Sequence, residues 1–484
     1  MTPDLPGFAG LFAPALAAFR SRQAPLHQLE ALLGPWIAPG LLAPTDGGPH
    51  SRRRRWPLRL VFWSYLWQIA HPGASCRHAV RQAQALCLQS DAPVPSDDTG
   101  AYTGARSAIP AGRLQRIHDG LVREAEMGVA SKDLWLGHRV LAVDGSTVLA
   151  PDTPANQAAF PQQSAQKPGC GFPILRFVAL MSLATGMVVA WTTGVWRSHE
   201  LGLFQQLWEA LRPGDVLLAD RGYCSWGLLA QCRSRGVHAV VRVRGRIRED
   251  LRRGRRIGPG QRRLWWGKPL AAARTIAPGE WARLPAAIEV RIVRCQWKRP
   301  GFRTEGVILA TTLLDERAYT AEALGKLYLR RWEMELCLRS LKTTLGMEML
   351  SCRTPGNLEL ELRMHLLVHN LVRRLMLEAA RQHGVRRERL SFAGTLGAAC
   401  RFAESMRAAR SRARREKIRR GLLRAIAGDP VPERPGRREP RAVKRRPKPH
   451  PLLTRARRSY REIPHRSRHR RPAAVATNPG ISTP

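Results

Sequence analysis

The chemistry open to this chain is set by three acids in unusual places and by the side chains around one of them. The segment Tyr328-Leu-Arg-Arg-Trp-Glu-Met-Glu-Leu-Cys-Leu-Arg-Ser-Leu-Lys342 carries the pattern Y-x2-R-x3-E-x6-K. Wound as a helix at about 100° per residue, it puts Tyr328 and Lys342 each about 20° from Glu335 around the axis, and Arg331 about 40° away. Leu327, Met334, Leu338, Leu341 and Leu345 form a separate apolar stripe, about 60–120° from Glu335. Such a helix can rest on a core while aiming a carboxylate, two cations and a phenol along one edge. The plainer use of the same residues is ion pairing four apart on a surface helix, Arg331 with Glu335 and Glu335 with Arg339.

Two aspartates stand in matching contexts upstream. Asp144 is expected to end the strand in HRVLAVDGSTVLAP, and Asp220 the strand in GDVLLADRGY. An acid at the carboxyl end of a buried strand faces the crevice where α/β proteins bind ligands. Asp before glycine also forms turns, and Asp before a helix caps it, so neither aspartate alone decides the matter. Together with Glu335 they make a set of hard oxygen donors. Such a set suits a pair of Mg²⁺ or Mn²⁺ ions that activate water and steady a leaving oxygen in phosphodiester chemistry. Arg331 and Lys342 would hold phosphate beside them.

These acids need a sheet and a helix to bring them together. Before about residue 130 the sequence reads as helical, with Leu26, Leu29, Leu32 and Leu33 at helical spacing and an apolar helix from Leu58 to Ile69. The run Ser51-Arg-Arg-Arg-Arg55 directly precedes that second helix and could grip backbone phosphate or simply be a solvated loop. From about 138 the texture becomes that of strands leading to helices. Two strands flank the turn Ala184-Thr-Gly186. An amphipathic helix from His199 stops at Pro213-Gly214, a second helix ends at Gly236, and the strand VHAVVRVR follows. Residues 245–305 lose this pattern and are expected to be a β-rich insertion, with VILATTLL returning to the main sheet. Long helices are expected over 320–346 and 358–383. Beyond about 405, Arg and Pro crowd the chain and an extended, disordered tail is expected.

Lys plus Arg total 80 against 37 Asp plus Glu, a net charge of +43 over 484 residues. A charge of that size calls for a polyanion. No apolar run reaches membrane-spanning length, so a membrane is disfavoured as that partner and nucleic acid favoured. The nine cysteines are scattered without a CxxC pair, which excludes a sequence-readable zinc site or disulfide framework and fits a cytosolic protein. Ser198-His199-Glu200 reads as a helix start, and Glu333 and Asp215 as structural acids.

On the residues just quoted, the chain resembles the DDE transposases of the insertion-sequence-4 group. Tyr328, Arg331, Glu335 and Lys342 match the group's signature in full, LAVDGST and LADRGY match the surroundings of its first two acids, and SCRHAV and AYTGARSAIP extend the likeness upstream. The resemblance implies a ribonuclease H-like catalytic core with a β-rich insertion, over residues 131–400. It further implies a helical N-terminal DNA-binding domain over 1–130, ahead of a basic tail over 401–484. It implies that Asp144, Asp220 and Glu335 bind two Mg²⁺ or Mn²⁺ ions and are catalytic, while Tyr328, Arg331, Lys342 and Arg221 contact DNA. The partners it implies are terminal inverted repeats, target DNA and a second copy of the chain in a synaptic dimer, in a bacterial cytoplasm at the nucleoid. Trp265, Trp266, Trp281 and Trp297 are the insertion residues that could stack a flipped base. A domesticated transposase that binds without cutting, a nuclease or resolvase of the same fold, and a basic RNA-binding protein are the competing readings; the last leaves the three acids without a reason.

Overall fold

The structure, a computed structural model, describes residues 27–44, 56–244, 254–296 and 306–432, together with 455, 456 and 459. The Ser51–Arg55 run, Trp297 and most of the sequence after 432 lie outside the described residues.

Five helices open the described chain: α1 (Gln28–Leu33), α2 (Leu58–Ala70), α3 (Cys76–Leu88), α4 (Thr99–Ser107) and α5 (Ala111–Met127). The SCRHAV motif explains the start of α3, where the Ser75 hydroxyl accepts from the His78 amide and the His78 ring accepts from the Ser75 amide. AYTGARS explains a buried cation: the Arg106 guanidinium lies over the ring of Tyr65 and donates to Gln68 and to the Cys352 sulfur.

The strands are β1 (Val140–Leu149), β2 (Ile174–Ser182), β3 (Val188–Val195), β4 (Val216–Ala219), β5 (His238–Arg242), β6 (Arg255–Gly258), β7 (Gln261–Gly267), β8 (Ala287–Gln296) and β9 (Gly306–Thr311). They form one sheet in the order β3-β2-β1-β4-β5-β9-β8-β7-β6. β1, β4 and β5 run parallel, while β2 is antiparallel to β1. The turn Ala184-Thr-Gly186 joins β2 to β3 as expected, with Gly186 at φ +72° where a side chain would be strained. Strands β6 to β8 fall in the segment expected to be a β-rich insertion, and they extend the main sheet through β9.

Strand alternation sorts the sheet into two faces. Val140, Ala142, Val216, Leu218 and Val240 join the larger apolar core, and Leu141, Val143, Leu217, Ala219 and Val241 the smaller one. The smaller core is covered by α7 (Glu200–Phe204), α8 (Trp226–Ser234) and α9 (Pro278–Arg283), while α6 (Pro154–Ala159) contributes nothing to it. The expected helix from His199 to Pro213 is α7 followed by a 3-10 stretch, Gln205–Ala210.

The larger core holds α10 (Ala321–Leu329), α11 (Trp332–Arg339), α12 (Pro355–His383), α13 (Phe392–Ala408) and α14 (Arg412–Ala427) together with α1 to α5. Among the described residues this one core spans positions 130 and 400. Asn370 of α12 pins the sheet edge to this body, accepting from the Val188 amide at 3.0 Å and donating to the Val188 carbonyl at 2.8 Å and to His118 of α5 at 3.0 Å.

The expected long helix over 320–346 is interrupted. α10 and α11 meet at a turn through Arg330 and Arg331, and Ser340–Thr344 is a π-helical turn. The predicted apolar stripe is nonetheless buried: Leu327, Met334, Leu338, Leu341 and Leu345 all lie in the core.

A second difference concerns the tail. Residues 412–427 are helical, and Leu422, Leu423 and Ile426 are buried against α12 and α13. The spacing i, i+1, i+4 makes one apolar edge on a helix whose remaining positions are mostly Arg, so a low average hydropathy concealed it. Arg419 adds a two-pronged bond to Glu378 at 2.6 and 2.9 Å. Leu422→Ala and Leu423→Ala should each lower stability by about 2–4 kcal/mol in a denaturant melt; an unchanged midpoint would mean that α14 is not docked in solution.

Candidate active site

β1 carries Asp144 in its middle, not at its end, because β1 continues to Leu149. What ends near Asp144 is the parallel pairing with β4, whose last pair is Ala142 with Leu218. Continuing that register brings Asp144 level with Asp220, the first residue after β4. Alternation continues the larger-core face from Val140 and Ala142 to Asp144, and from Val216 and Leu218 to Asp220. The two aspartates thus leave the sheet side by side, toward α11. Each is tied locally: Asp144 accepts the Gly145 amide at 2.9 Å, and Asp220 the Gly222 amide at 2.7 Å.

Glu335 comes from α11, which packs against β1 and buries Met334, Cys337 and Leu338 on the same face. The segment after the π-helical turn locks helix to strand. The Leu149 amide donates to the Glu348 carbonyl at 3.0 Å, and the Leu350 amide to the Leu149 carbonyl at 2.9 Å. Arg331 then joins two of the three acids. Its guanidinium makes a hydrogen bond to the Glu335 carboxylate and lies 3.7 Å from the Asp144 carboxylate. Asp144 and Glu335 are therefore one guanidinium apart.

The electrostatics follow from this crowding. Burial pushes Asp144 up to about 6; the Gly145 amide and Arg331 oppose the shift, while Asp220 and then Glu200 add to it. Burial likewise raises the Tyr328 phenol, with Arg331 opposing and Asp220 adding. Tyr328, Arg331, Glu335, Asp144 and Asp220 thus converge at one end of the parallel strands.

Lys342 lies in the π-helical turn, which breaks the 3.6-residue period, and its ammonium is 4.0 Å from Glu348. Arg221 is exposed beside Asp220. Among the insertion tryptophans, Trp281 is buried against Trp226 and Lys268, Trp266 is half-buried, and Trp265 is 70% exposed. Trp332, which the sequence reading did not single out, is 58% exposed on the residue after Arg331.

Glu333 is bonded to Arg330 and Arg387, each at 2.8 Å, and Asp215 to Arg139 at 2.5 Å, consistent with structural roles. Glu200 does begin a helix, but its carboxylate also reaches the neighbourhood of Asp144. No sequence pattern signalled that. All nine cysteines are free. Among the described residues, no three His, Cys, Asp or Glu side chains are gathered as a ready metal cage.

A family model described as the transposase DDE domain matches residues 135–371, a span that contains every residue of this group. The transposase InsG for insertion sequence element IS4 of Escherichia coli strain K12 is 28% identical over 443 residues, covering 90% of this chain and 96% of that protein. This chain is a transposase similar to that of the insertion-sequence-4 element. The putative transposase InsZ of the same strain is 24% identical over 186 residues, 38% of this chain and 60% of InsZ. The structure of the piggyBac transposase synaptic complex with hairpin DNA aligns at 10% identity and a TM-score of 0.38, over 85% of this chain and 86% of that one. That likeness is too low to bear on fold or chemistry. As a transposase the protein is a DNA-cleaving enzyme, and its family generally uses divalent metals. No helix among the described residues is long and apolar enough to cross a membrane.

The raised Asp144 makes a prediction for the metal-free transposase. An acid raised above its ordinary 3.8 to about 6 holds its proton more tightly when folded. Its contribution is present below about 4 and lost as pH climbs through about 6. Asp144→Asn should therefore raise metal-free stability at pH 7.5 by about 1–3 kcal/mol and flatten its slope between pH 4 and 6. Thermal melts across that range check it, and a destabilised variant at pH 7.5 would contradict the burial argument.

Proposed function

We propose that the transposase cuts DNA at the ends of its own element and joins the freed strands to target DNA, using Asp144, Asp220 and Glu335 to hold two divalent ions. One observation carries this: Asp144 and Asp220 leave one face of the sheet side by side, and Glu335, on the helix packed over that face, is bridged to Asp144 by a single guanidinium. A donor set made only of carboxylate oxygens suits Mg²⁺ or Mn²⁺. Ions held there would activate water and steady the departing oxygen.

The chain's own part is to present the acids and to handle phosphate. Arg331 already neutralises Asp144 and Glu335, so it is the residue that must yield when ions arrive, and a DNA phosphate is the natural anion for it to take. Tyr328 holds the flank of the same turn, while Lys342 and Arg221 are further cations for the DNA backbone. The strand order β3-β2-β1-β4-β5, with β2 the antiparallel member, supports a ribonuclease H-like core bearing β6 to β8 as the insertion. The helices α2 to α5 are the proposed reader of terminal inverted repeats, and a synaptic dimer the proposed working form, in a bacterial cytoplasm at the nucleoid. The exposed Trp265 is the insertion residue best presented for a base to stack on.

Exposed Arg412, Arg414, Arg415, Lys417, Arg420 and Arg424 of α14 give DNA a cationic helix face. Replacing Arg412, Arg414 and Lys417 by Gln should make the slope of log affinity against log salt shallower, read by fluorescence anisotropy on duplex DNA; an identical slope removes α14 from the DNA contact. For the chemistry, Asp144→Asn, Asp220→Asn and Glu335→Gln should each lower cleavage of a terminal-repeat duplex by at least about 10³-fold, while gel-shift affinity for that duplex stays within a few-fold. Near-normal cleavage by any one of them would strike that residue from the site.

A further inference from the structure

Glu200 stands on the opposite face of β1 from Asp144, in line with the backbone of Gly145. A Cβ on Gly145 would meet the Glu200 carboxyl carbon at 2.5 Å and its two oxygens at 2.8 and 2.9 Å. The missing side chain therefore leaves a window in the sheet, and the carboxylate of α7 fills it directly behind the catalytic strand. Arg176 of β2 holds the other side of Glu200 at 2.8 Å and lies over the Trp196 ring.

Tyr223, in the loop after Asp220, supplies the second observation. Its side chain is fully buried and its hydroxyl has no hydrogen-bond partner. Leaving a buried hydroxyl unpaired costs roughly 1–3 kcal/mol, so a donor kept in that state needs a reason. The charges acting on it are, in order, Glu200, Asp144 and Asp220, with Arg176 opposing. Tyr223 packs edge-on against Phe204 of α7, in the smaller core, so a buried donor without an oxygen in reach sits beside the helix that carries Glu200.

We propose that Glu200 and Tyr223 complete the cation site from behind β1, Glu200 as its fourth acid and Tyr223 as the hydroxyl that orients an oxygen of the site. Both are positioning residues. Glu200 adds negative potential at Asp144 through the Gly145 window, where no side chain intervenes. Tyr223 donates to an acid oxygen or to a water brought in with a hard divalent cation, and so fixes the direction of that ligand. The alternative is that Glu200 merely pairs with Arg176. The two differ in sign: a structural pair loses the same thing from either end, whereas a cation site is weakened by losing Glu200 and strengthened by losing Arg176.

The inference rests on Asp144 and Asp220 being cation ligands, so Asp144→Asn is the reference variant. Mn²⁺ binding to the full chain without DNA is measured by electron paramagnetic resonance, with a thermal melt of each variant. Glu200→Gln should weaken Mn²⁺ binding about tenfold, Glu200→Asp should recover part of that loss, and Arg176→Gln should bind as tightly as the parent or tighter. Tyr223→Phe should weaken binding several-fold without lowering the melting temperature, because the hydroxyl it removes has no partner to lose. It remains informative even if Glu200→Gln fails to fold. If Asp144→Asn weakens binding and neither Glu200→Gln nor Tyr223→Phe does, the inference falls and the three-acid site stands. If Asp144→Asn binds like the parent, the site reading itself falls.

Discussion

Carboxylates drawn together and partly out of water repel one another, and that repulsion is the constraint the rest of this structure answers. A guanidinium from the turn that caps the helix of Glu335, reaching across to Asp144, is the answer. The arrangement needs β1 and α11 held in fixed relation. The backbone bonds between Leu149 and the Glu348–Leu350 segment hold one end of that pair, and the buried faces of Met334, Cys337 and Leu338 hold its length. Once strand and helix are fixed, the register between β1 and β4 brings Asp220 alongside.

Much of this was readable before any coordinates, and the reasons are specific. Glu335 and its apolar stripe follow from helical periodicity, which survives a turn at Arg330–Arg331 because both helical pieces keep their buried side. Asp220 was legible because β4 is short, apolar and closed at once by Asp-Arg-Gly. Asp144 was wrongly placed as a strand end. Sequence reveals where β propensity lies, not where a neighbouring strand stops pairing, and it is the latter that opens the crevice beside Asp144.

Other features could not have been read. The π-helical turn that holds Lys342 is invisible to a fixed angle per residue. Glu200 looks like any acid at a helix start until the fold sets it behind a glycine. The buried edge of α14 was hidden among arginines, and among the tryptophans only packing could tell Trp281, inside, from Trp265, outside.

The large core joins parts of the chain that are made at very different times. Helix α1 packs on α13, and the Arg419 guanidinium of α14 lies over the Trp36 ring and against the Leu32 carbonyl. On the ribosome, α1 emerges hundreds of residues before its seat exists. Its Leu29, Leu32 and Leu33 must wait, exposed to solvent or to chaperones, until translation has passed α14. Assembly of this body is thereby coupled to near-complete synthesis, and a prematurely terminated chain would carry its leading helices without the surface that shelters them.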